Sequence, residues 1–563
     1  MRVAVIDGYT DEPAGLGVPP YLGTHPRYAY GAAVEAGAEE VRYIPIERVR
    51  SNEVDLNRFD VVVGICGVHT PGRYLGAEPA DLEEMVNILE GLDAITVLGG
   101  PAAQAGHGRI GGERPQVDTG EVDIVATGDV EAVVYELVRT GSPEGVDPET
   151  ERTVDDLRRF AVKGAPAARE HVDYPHLIAE IETYRGCVRF VSGGCSFCTE
   201  VPRYGAPEYR PPKHVVEEVK ALYRVGVRRF RLGRQPCTFC YMAEGVGETE
   251  KPTPNPEAWE RLLRGISHAA PDLNVLHVDN ANPAVIAEHP EEAREVVKLL
   301  VRYGTPGNVL AFGVETIDPR VARKNNLNVS SSEEVLEAIE VVAEIGYRRG
   351  WNGMPYVLPG INFVCGLIGE DKERYRRDEE FLKELLESGL PVRRINVRDV
   401  VPFPGTEMWK HGTRWLERNR DRARAFKRFV REEIDPELLR RVVPKGTVLR
   451  GLRVEPRDPR FARQIGSYPV ACRLVAEREP GEWVSGLVVG HGARSVEVIP
   501  LPIRPSDGPD VLSKLPGVSG KEAVRCFVKR RAPDVPYALS SWFEGFPTPS
   551  RNSFEYRNDS PKE

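Results

Sequence analysis

The sequence predicts an α/β protein over roughly its first 400 residues, followed by a small β-barrel and a helical hairpin. Three observations carry that reading. Short apolar strands alternate with helical segments from residue 1 to about 140, and do so again from 176 to about 408. Between these stretches, residues 141–175 are rich in Pro, Gly and charge and read as a linker. Beyond a charged helical connector at 409–441, the pattern changes to short strands separated by Gly-rich turns. A chain of 563 residues is also too long for one core.

In the first stretch the strands are Val3–Ile6, Val41–Ile46, Val61–Ile65, Ile95–Leu98 and Ile124–Ala126, with helices over Tyr28–Ala36 and Leu82–Leu92. Such alternation implies a parallel, doubly wound, Rossmann-like sheet with its ligand site at the carboxyl ends of the strands. Two of those ends are glycine turns, Gly99-Gly100-Pro101 and Gly128-Asp129. The second stretch opens on the apolar run Leu177–Ile181 and continues through Phe230–Leu232, Val275–Val278, Val309–Val314, Tyr356–Phe363 and Arg394–Val397, each pair separated by a helical segment. Six strand–helix units suffice for a partial parallel (β/α)6 barrel, whose sites again belong at the strand ends. Strands at Thr447–Val454, Tyr468–Val475, Trp483–Val489 and Ser495–Ile499 make a small barrel at 442–503, and residues 504–540 form the hairpin module before a poorly ordered tail at 541–563.

Cys187, Cys195 and Cys198 follow the first barrel strand with the spacing C-x7-C-x2-C. Three thiolates suit three irons of a 4Fe–4S cluster, and with no fourth cysteine nearby one iron stays open for a ligand. A zinc knuckle would need a fourth Cys or His at short range, and none stands within ten residues of the trio. Cys237 and Cys240 form a second C-x2-C pair that could supply half the ligands of an auxiliary iron–sulfur cluster, with Cys365 a conceivable third, or could be structural. Cys66, Cys472 and Cys526 read as plain buried thiols. Near the end, Leu515-Pro516-Gly517-Val518 is close to a helix-hairpin-helix pattern, in which backbone N–H groups with Lys514 and Lys521 would hold a phosphate.

The cysteine trio, closed by Cys-Ser-Phe-Cys with an aromatic Phe197 before the last thiol, resembles the radical S-adenosylmethionine (SAM) superfamily, although the first spacing is four residues longer than the usual C-x3-C-x2-C. The resemblance implies that the open iron chelates SAM and that an electron cleaves it to a 5'-deoxyadenosyl radical. It also implies roles at later strand ends. Gln235, in Leu-Gly-Arg-Gln, stands where the SAM amino group is bound, and Glu315 with Asn325 looks like the fourth-strand motif that meets ribose and carboxylate. Gly360 and Gly366 bracket a segment similar to the one that approaches adenine, with Asn362 where an acidic residue is common. The N-terminal stretch resembles the cobalamin-binding-like domain found before many radical SAM enzymes, though it lacks the Asp-x-His-x-x-Gly motif. Cobalamin is therefore a possible further cofactor, at Gly99, Gly100 and Gly128. Methylthiotransferases carry a second cluster on three cysteines in this stretch, and only Cys66 is present. The small barrel loosely resembles their RNA-binding TRAM domain. As a whole the chain resembles an archaeal-type radical SAM family with a C-terminal helix-hairpin-helix.

Composition narrows the function classes. With 41% hydrophobic and 28% charged residues and no apolar run of membrane-span length, the chain reads as globular, cytoplasmic and without a membrane partner. The net charge of −10 divides unevenly: residues 441–563 hold 20 Lys and Arg against 14 Asp and Glu, which is where a polyanion would sit. The expected function is a radical SAM enzyme that methylates or methylthiolates an unactivated carbon of a large substrate, RNA by preference, fed by an electron donor such as ferredoxin or flavodoxin. The alternatives are a cobalamin-dependent methyltransferase acting on a protein side chain, and a non-catalytic iron–sulfur protein that binds nucleic acid.

Overall fold

The computed structural model describes residues 1–9, 21–67, 78–108, 111–329, 331–504, 506–515 and 517–529. The tail at 541–563, the end of the hairpin module after 529 and the Cys526 side chain lie outside the described residues. The chain divides into two compact units, the first comprising Met1–Gly350, Pro355–Leu438 and Ile465–Pro469. Trp351–Met354, Leu439–Gln464 and the residues from Val470 onward form the second.

The first unit opens with five parallel strands, β1 (Arg2–Asp7), β2 (Glu40–Pro45), β3 (Val61–Ile65), β4 (Ile95–Gly99) and β5 (Ile124–Val125), in the order 2-1-3-4-5. Runs such as Val61-Val62-Val63 suit a sheet buried on both faces, and helices Thr24–Glu35, Leu82–Glu90 and Val130–Thr140 follow its strands. Residues 141–175, expected as a linker, hold the helix Val154–Lys163. It begins with a reciprocal cap between Thr153 and Asp156 and buries Leu157, Phe160 and Ala161. So narrow an apolar stripe among charges leaves little periodic signal in the sequence.

Next come β6 (Ala179–Glu182), β7 (Tyr184–Arg185), β8 (Glu208–Tyr209), β9 (Arg229–Gly233), β10 (Val275–Val278), β11 (Asn308–Glu315), β12 (Val357–Cys365) and β13 (Ile395–Asp399). Two three-stranded parallel sheets, 6-9-10 and 11-12-13, are joined by a bridge between Ala281 and Phe312. All six expected barrel strands are present in sequential order. Leu22 pairs with Ala179 and covers the free edge of β6. A buried ionic lattice ties the five-stranded sheet to the barrel. Arg152 meets Glu131 at 2.6 Å and Glu182 at 2.7 Å, Arg185 meets Asp129 at 2.6 Å, and Arg27 meets Glu218 at 2.6 Å. Removing one member of such a set leaves a buried charge uncompensated, at a cost of about 3–5 kcal/mol.

Helices Glu407–His411, Arg414–Phe429 and Asp435–Val442 occupy the charged connector, with a π-turn at Val430–Ile434. In the second unit, β14 (Val448–Val454), β15 (Phe461–Gln464), β16 (Ala471–Leu474), β17 (Trp483–His491) and β18 (Ser495–Leu501) close a five-stranded barrel. The sequence predicts four of these. β15 is only four residues long and two of them are polar, so it carries too few alternations to be seen. The helices Pro509–Leu512 and Gly520–Lys529 end the described chain. Among the described residues no helix is long and apolar enough to cross a membrane.

Candidate active site

The cysteine loop leaves the barrel between β7 and β8, whose antiparallel pairs Tyr184–Tyr209 and Arg185–Glu208 close it like a clasp. Cys187 N–H donates to the Gly205 carbonyl at 3.1 Å, and Cys198 N–H to the Cys195 carbonyl at 3.1 Å. The long first spacing is absorbed by a 3-10 turn, Val188–Ser192, which starts right after Cys187. All three thiols are half-buried; the charge of Cys195 raises the pKa of Cys187, and both raise that of Cys198. Burial pushes Cys187 up to about 12 and raises Cys195 and Cys198 as well. Thiols so reluctant to ionise become thiolates only beside strong positive charge, which iron supplies. As a donor set, three thiols on one loop fit an iron–sulfur cluster, whose thiolates bind separate irons. Among the described residues no group of three or more His, Cys, Asp and Glu is placed to ligate a single metal ion.

Two residues that sequence reasoning missed fix this loop. Arg189, inside the 3-10 turn and buried, donates from Nη1 to Cys195 Sγ at 3.3 Å and from Nη2 to Glu250 at 3.0 Å. It also donates to the carbonyl and side-chain oxygens of Asn326. Asn326, at φ +50°, returns its amide to the Ser192 carbonyl at 3.1 Å and the Gly194 carbonyl at 2.7 Å. A cation lodged between two expected cluster ligands is the only local signal. Its partners lie 61 and 137 residues away, and nothing in one sequence joins them.

Asn325 is a tie in the same network. Its Oδ1 accepts from Ser196 Oγ at 2.8 Å and Ile368 N at 3.0 Å, while Nδ2 donates to the Val321 and Ile368 carbonyls at 2.8 and 3.0 Å. Every hydrogen-bonding position of that amide is taken. Gln235 is buried at the end of β9, accepting from Thr183 and donating to Thr238 Oγ1 at 3.1 Å. Phe197 packs against an apolar cluster that includes Ile368, Val400 and Met408.

Glu315 ends β11 beyond an irregularity in its pairing with β12 and has a left-handed backbone, φ +64°. Buried Arg374 holds that conformation by donating to the Glu315 carbonyl at 3.0 Å and the Val364 carbonyl at 2.7 Å. The residue is half-buried, but its Oε2 is fully enclosed with no hydrogen-bond partner. Burial pushes this carboxyl up to about 8, against the pull of Arg398 and Arg374. Cys195 feels its charge, so the acid and the cysteine loop share one neighbourhood. Gly360 lies on β12, two residues before half-buried Asn362, whose Oδ1 accepts from Asn396 Nδ2 of β13 at 3.0 Å. Gly366 needs its φ of +95°, and a Cβ there would sit 2.7 Å from Val400 Cγ1.

At the glycine turns of the five-stranded sheet the chain packs closely on itself. A Cβ at Gly99 would meet Val130 at 2.3 Å, one at Gly100 the Cys66 carbonyl at 2.8 Å, and one at Gly128 the Thr150 carbonyl at 2.4 Å. Close packing of the chain on itself is a physical reason for glycine at these three positions. Cys237 and Cys240 touch in a buried 3-10 turn, and Asn282 N–H donates to Cys237 Sγ at 3.3 Å. Cys365 has a different neighbourhood of Arg374, Glu370, Asp399 and Lys427. Cys66 and Cys472 are buried, as expected. In the second unit Lys514 is paired with Glu497 at 2.8 Å, and Ser519 N–H and Oγ both donate to Glu522 at the start of the last helix. Lys521 is exposed, and Gly517 has φ +78°.

The Radical SAM superfamily model matches residues 181–364, the stretch from β6 to β12. The uncharacterized protein MJ0274 of Methanocaldococcus jannaschii is 48% identical over 504 residues, covering 88% of this chain and 92% of its own. The ribosomal protein uS12 methylthiotransferase RimO of Phocaeicola vulgatus is 25% identical over 229 residues, 40% of this chain and 45% of its own. Among solved structures, the radical SAM methyltransferase TsrM of Kitasatospora setae covers 72% of this chain and 74% of its own, at 16% identity and a TM-score of 0.45. With a catalytic domain of that superfamily at its centre and a near-full-length archaeal relative, the chain belongs to the radical SAM superfamily.

Proposed function

We propose that this chain is a radical SAM enzyme that transfers a methyl or methylthio group to an unactivated carbon of a protein side chain. Cys187, Cys195 and Cys198 would hold a 4Fe–4S cluster. Glu315 and Gln235 would meet the hydroxyls and ammonium of SAM, and Gly360 and Gly366 would let backbone approach its adenine. Asn325 acts by positioning, because it pins the cysteine loop to the turn after β12. When bound, such a cluster supplies the electron that cleaves SAM. The residues around it orient SAM and shield the site from water.

Glu315 is the observation that carries this reading. An unpartnered buried oxygen on a left-handed backbone costs stability, and such costs persist where a ligand is received. A protein substrate is supported by the similarity to a methylthiotransferase of a ribosomal protein. It is supported too by a hairpin whose Lys514 and helix N-terminus already have carboxylate partners. Anaerobically reconstituted full-length protein, incubated with SAM, dithionite and cell extract, should release 5'-deoxyadenosine and add mass to a peptide. Mass gained only by RNA would overturn the choice of substrate.

RNA is the second reading. Across the small barrel, Arg453 of β14 stands opposite both exposed Trp483 of β17 and Arg463 of β15, an aromatic–cation row of the kind on which single strands stack. Cobalamin is the corresponding second reading for the methyl source. The 2-1-3-4-5 strand order supports it, since ligands of such sheets sit at the switch point between β1 and β3. Titrating hydroxocobalamin into the full-length protein tests it by its absorption spectrum.

A further inference from the structure

We infer that Arg189 sets the reduction potential of the cluster by donating a charged hydrogen bond to the Cys195 thiolate; this rests on the cluster assignment above. The geometry has three parts. Arg189 Nη1 lies 3.3 Å from Cys195 Sγ, and the guanidinium is buried, so solvent screens its charge little. Its orientation is fixed on two sides, by Glu250 at 3.0 Å from Nη2 and 3.1 Å from Nε and by both oxygens of Asn326. The 3-10 turn Val188–Ser192 inside the long first cysteine spacing carries the arginine there.

Reduction adds one electron to the cluster and makes its thiolates more negative. A fixed cation at one sulfur therefore stabilises the reduced form and raises the midpoint potential, and hydrogen bonds to the sulfurs are among the known levers. Glu250 opposes this, because its carboxylate partly neutralises the guanidinium. The two residues make a balanced pair whose members, removed singly, must shift the potential in opposite directions. Arg189 is thus a positioning and tuning residue. It donates to the ligand and needs no contact with SAM or substrate.

The test is a redox titration of full-length reconstituted protein, with dithionite and mediators, followed by the electron paramagnetic resonance of the reduced cluster. Arg189→Met should lower the ratio of reduced to oxidised cluster at a fixed potential by about tenfold, a midpoint about 59 mV more negative for a one-electron couple. Glu250→Gln should move the midpoint the other way. Arg189→Lys, which keeps the charge and loses the fork, should fall between Met and the native residue. Midpoints of Arg189→Met and Glu250→Gln that match the unsubstituted protein overturn the inference, because a purely structural role would reduce iron content without moving the potential. Should Arg189→Met take up no iron, Glu250→Gln decides alone: a rise upholds the inference, and no change overturns it. Unsubstituted protein that binds no cluster would defeat the proposed function as well, whereas a loaded, SAM-cleaving protein with unmoved midpoints defeats only this inference.

Discussion

Asp129 and Glu315 are each an acidic residue just beyond a glycine near the end of a parallel strand, and the fold uses them in opposite ways. Asp129 follows β5 and is spent on Arg185 and on the Arg152 backbone N–H, at 2.6 and 3.0 Å. Burial alone would raise its pKa, but the Arg152 and Arg185 guanidiniums hold it below the ordinary carboxylate range. Glu315 keeps one oxygen enclosed and unpartnered, so burial wins and raises it to about 8. A glycine–acid turn thus states only that backbone comes close to something. Whether that something is the chain itself or a ligand is decided by the partners, and these come from distant residues.

Four measurements break or sharpen the contrast. Replacing Cys187, Cys195 and Cys198 together by Ala should remove all bound iron and sulfide and all 5'-deoxyadenosine release; SAM cleavage that survives would detach the cysteine loop from the chemistry. Asp129→Ala should cost about 1–3 kcal/mol in denaturant unfolding, because the Arg152 backbone N–H loses its acceptor and Arg185 keeps only Glu208, with iron content per folded protein unchanged.

Glu315→Gln should weaken SAM binding by roughly ten- to a hundredfold, the worth of one charged hydrogen bond. It should also change the pH dependence of the SAM-free protein. A carboxyl raised from 4.5 to about 8 contributes stability that is complete below its unfolded pKa and lost as pH rises through about 8. The variant should therefore be more stable than the native protein at pH 9, by at most about 5 kcal/mol, with the difference gone near pH 4.5. The Asp129 contribution runs the other way, present above its ordinary pKa and lost on acidification. If Glu315→Gln leaves both SAM affinity and the pH profile untouched, the contrast between the two acids is empty.

The smallest effect belongs to the hairpin. Lys514→Ala with Lys521→Ala should leave the RNA affinity of the full-length protein and its salt dependence the same as in the unsubstituted protein, since Lys514 is already paired. A log–log salt slope of roughly −2 to −3 in the native protein that flattens by one to two units in the variant would restore RNA as the preferred substrate.

The barrel was legible because strand–helix alternation is a local signal repeated six times, and the observed strands lie close to the expected ones, as in Val275–Val278. The cysteine trio was legible for the same reason. Arg189, Glu250 and Asn326 were not, because their association is made by three separate loops. Asn325 shows the converse: its place in a motif pointed to SAM, and only the four partners of its amide show it holding the protein together. The glycine turns at 99–100 and 128 were visible, but the side chains and carbonyls packed against them were not.

The five residues Ile465–Pro469 belong to the first unit although the chain on either side belongs to the second. Ser467 N–H donates to His277 Nδ1 at 3.2 Å, Tyr468 OH reaches Asp279 at 3.4 Å, and Arg394 stands over the Tyr468 ring. A growing chain therefore cannot finish its catalytic unit when β13 has been made. It must wait for some 70 further residues, among them Leu439–Gln464 of the other unit, so the two units are coupled in time during synthesis and no single cut in the gene separates them.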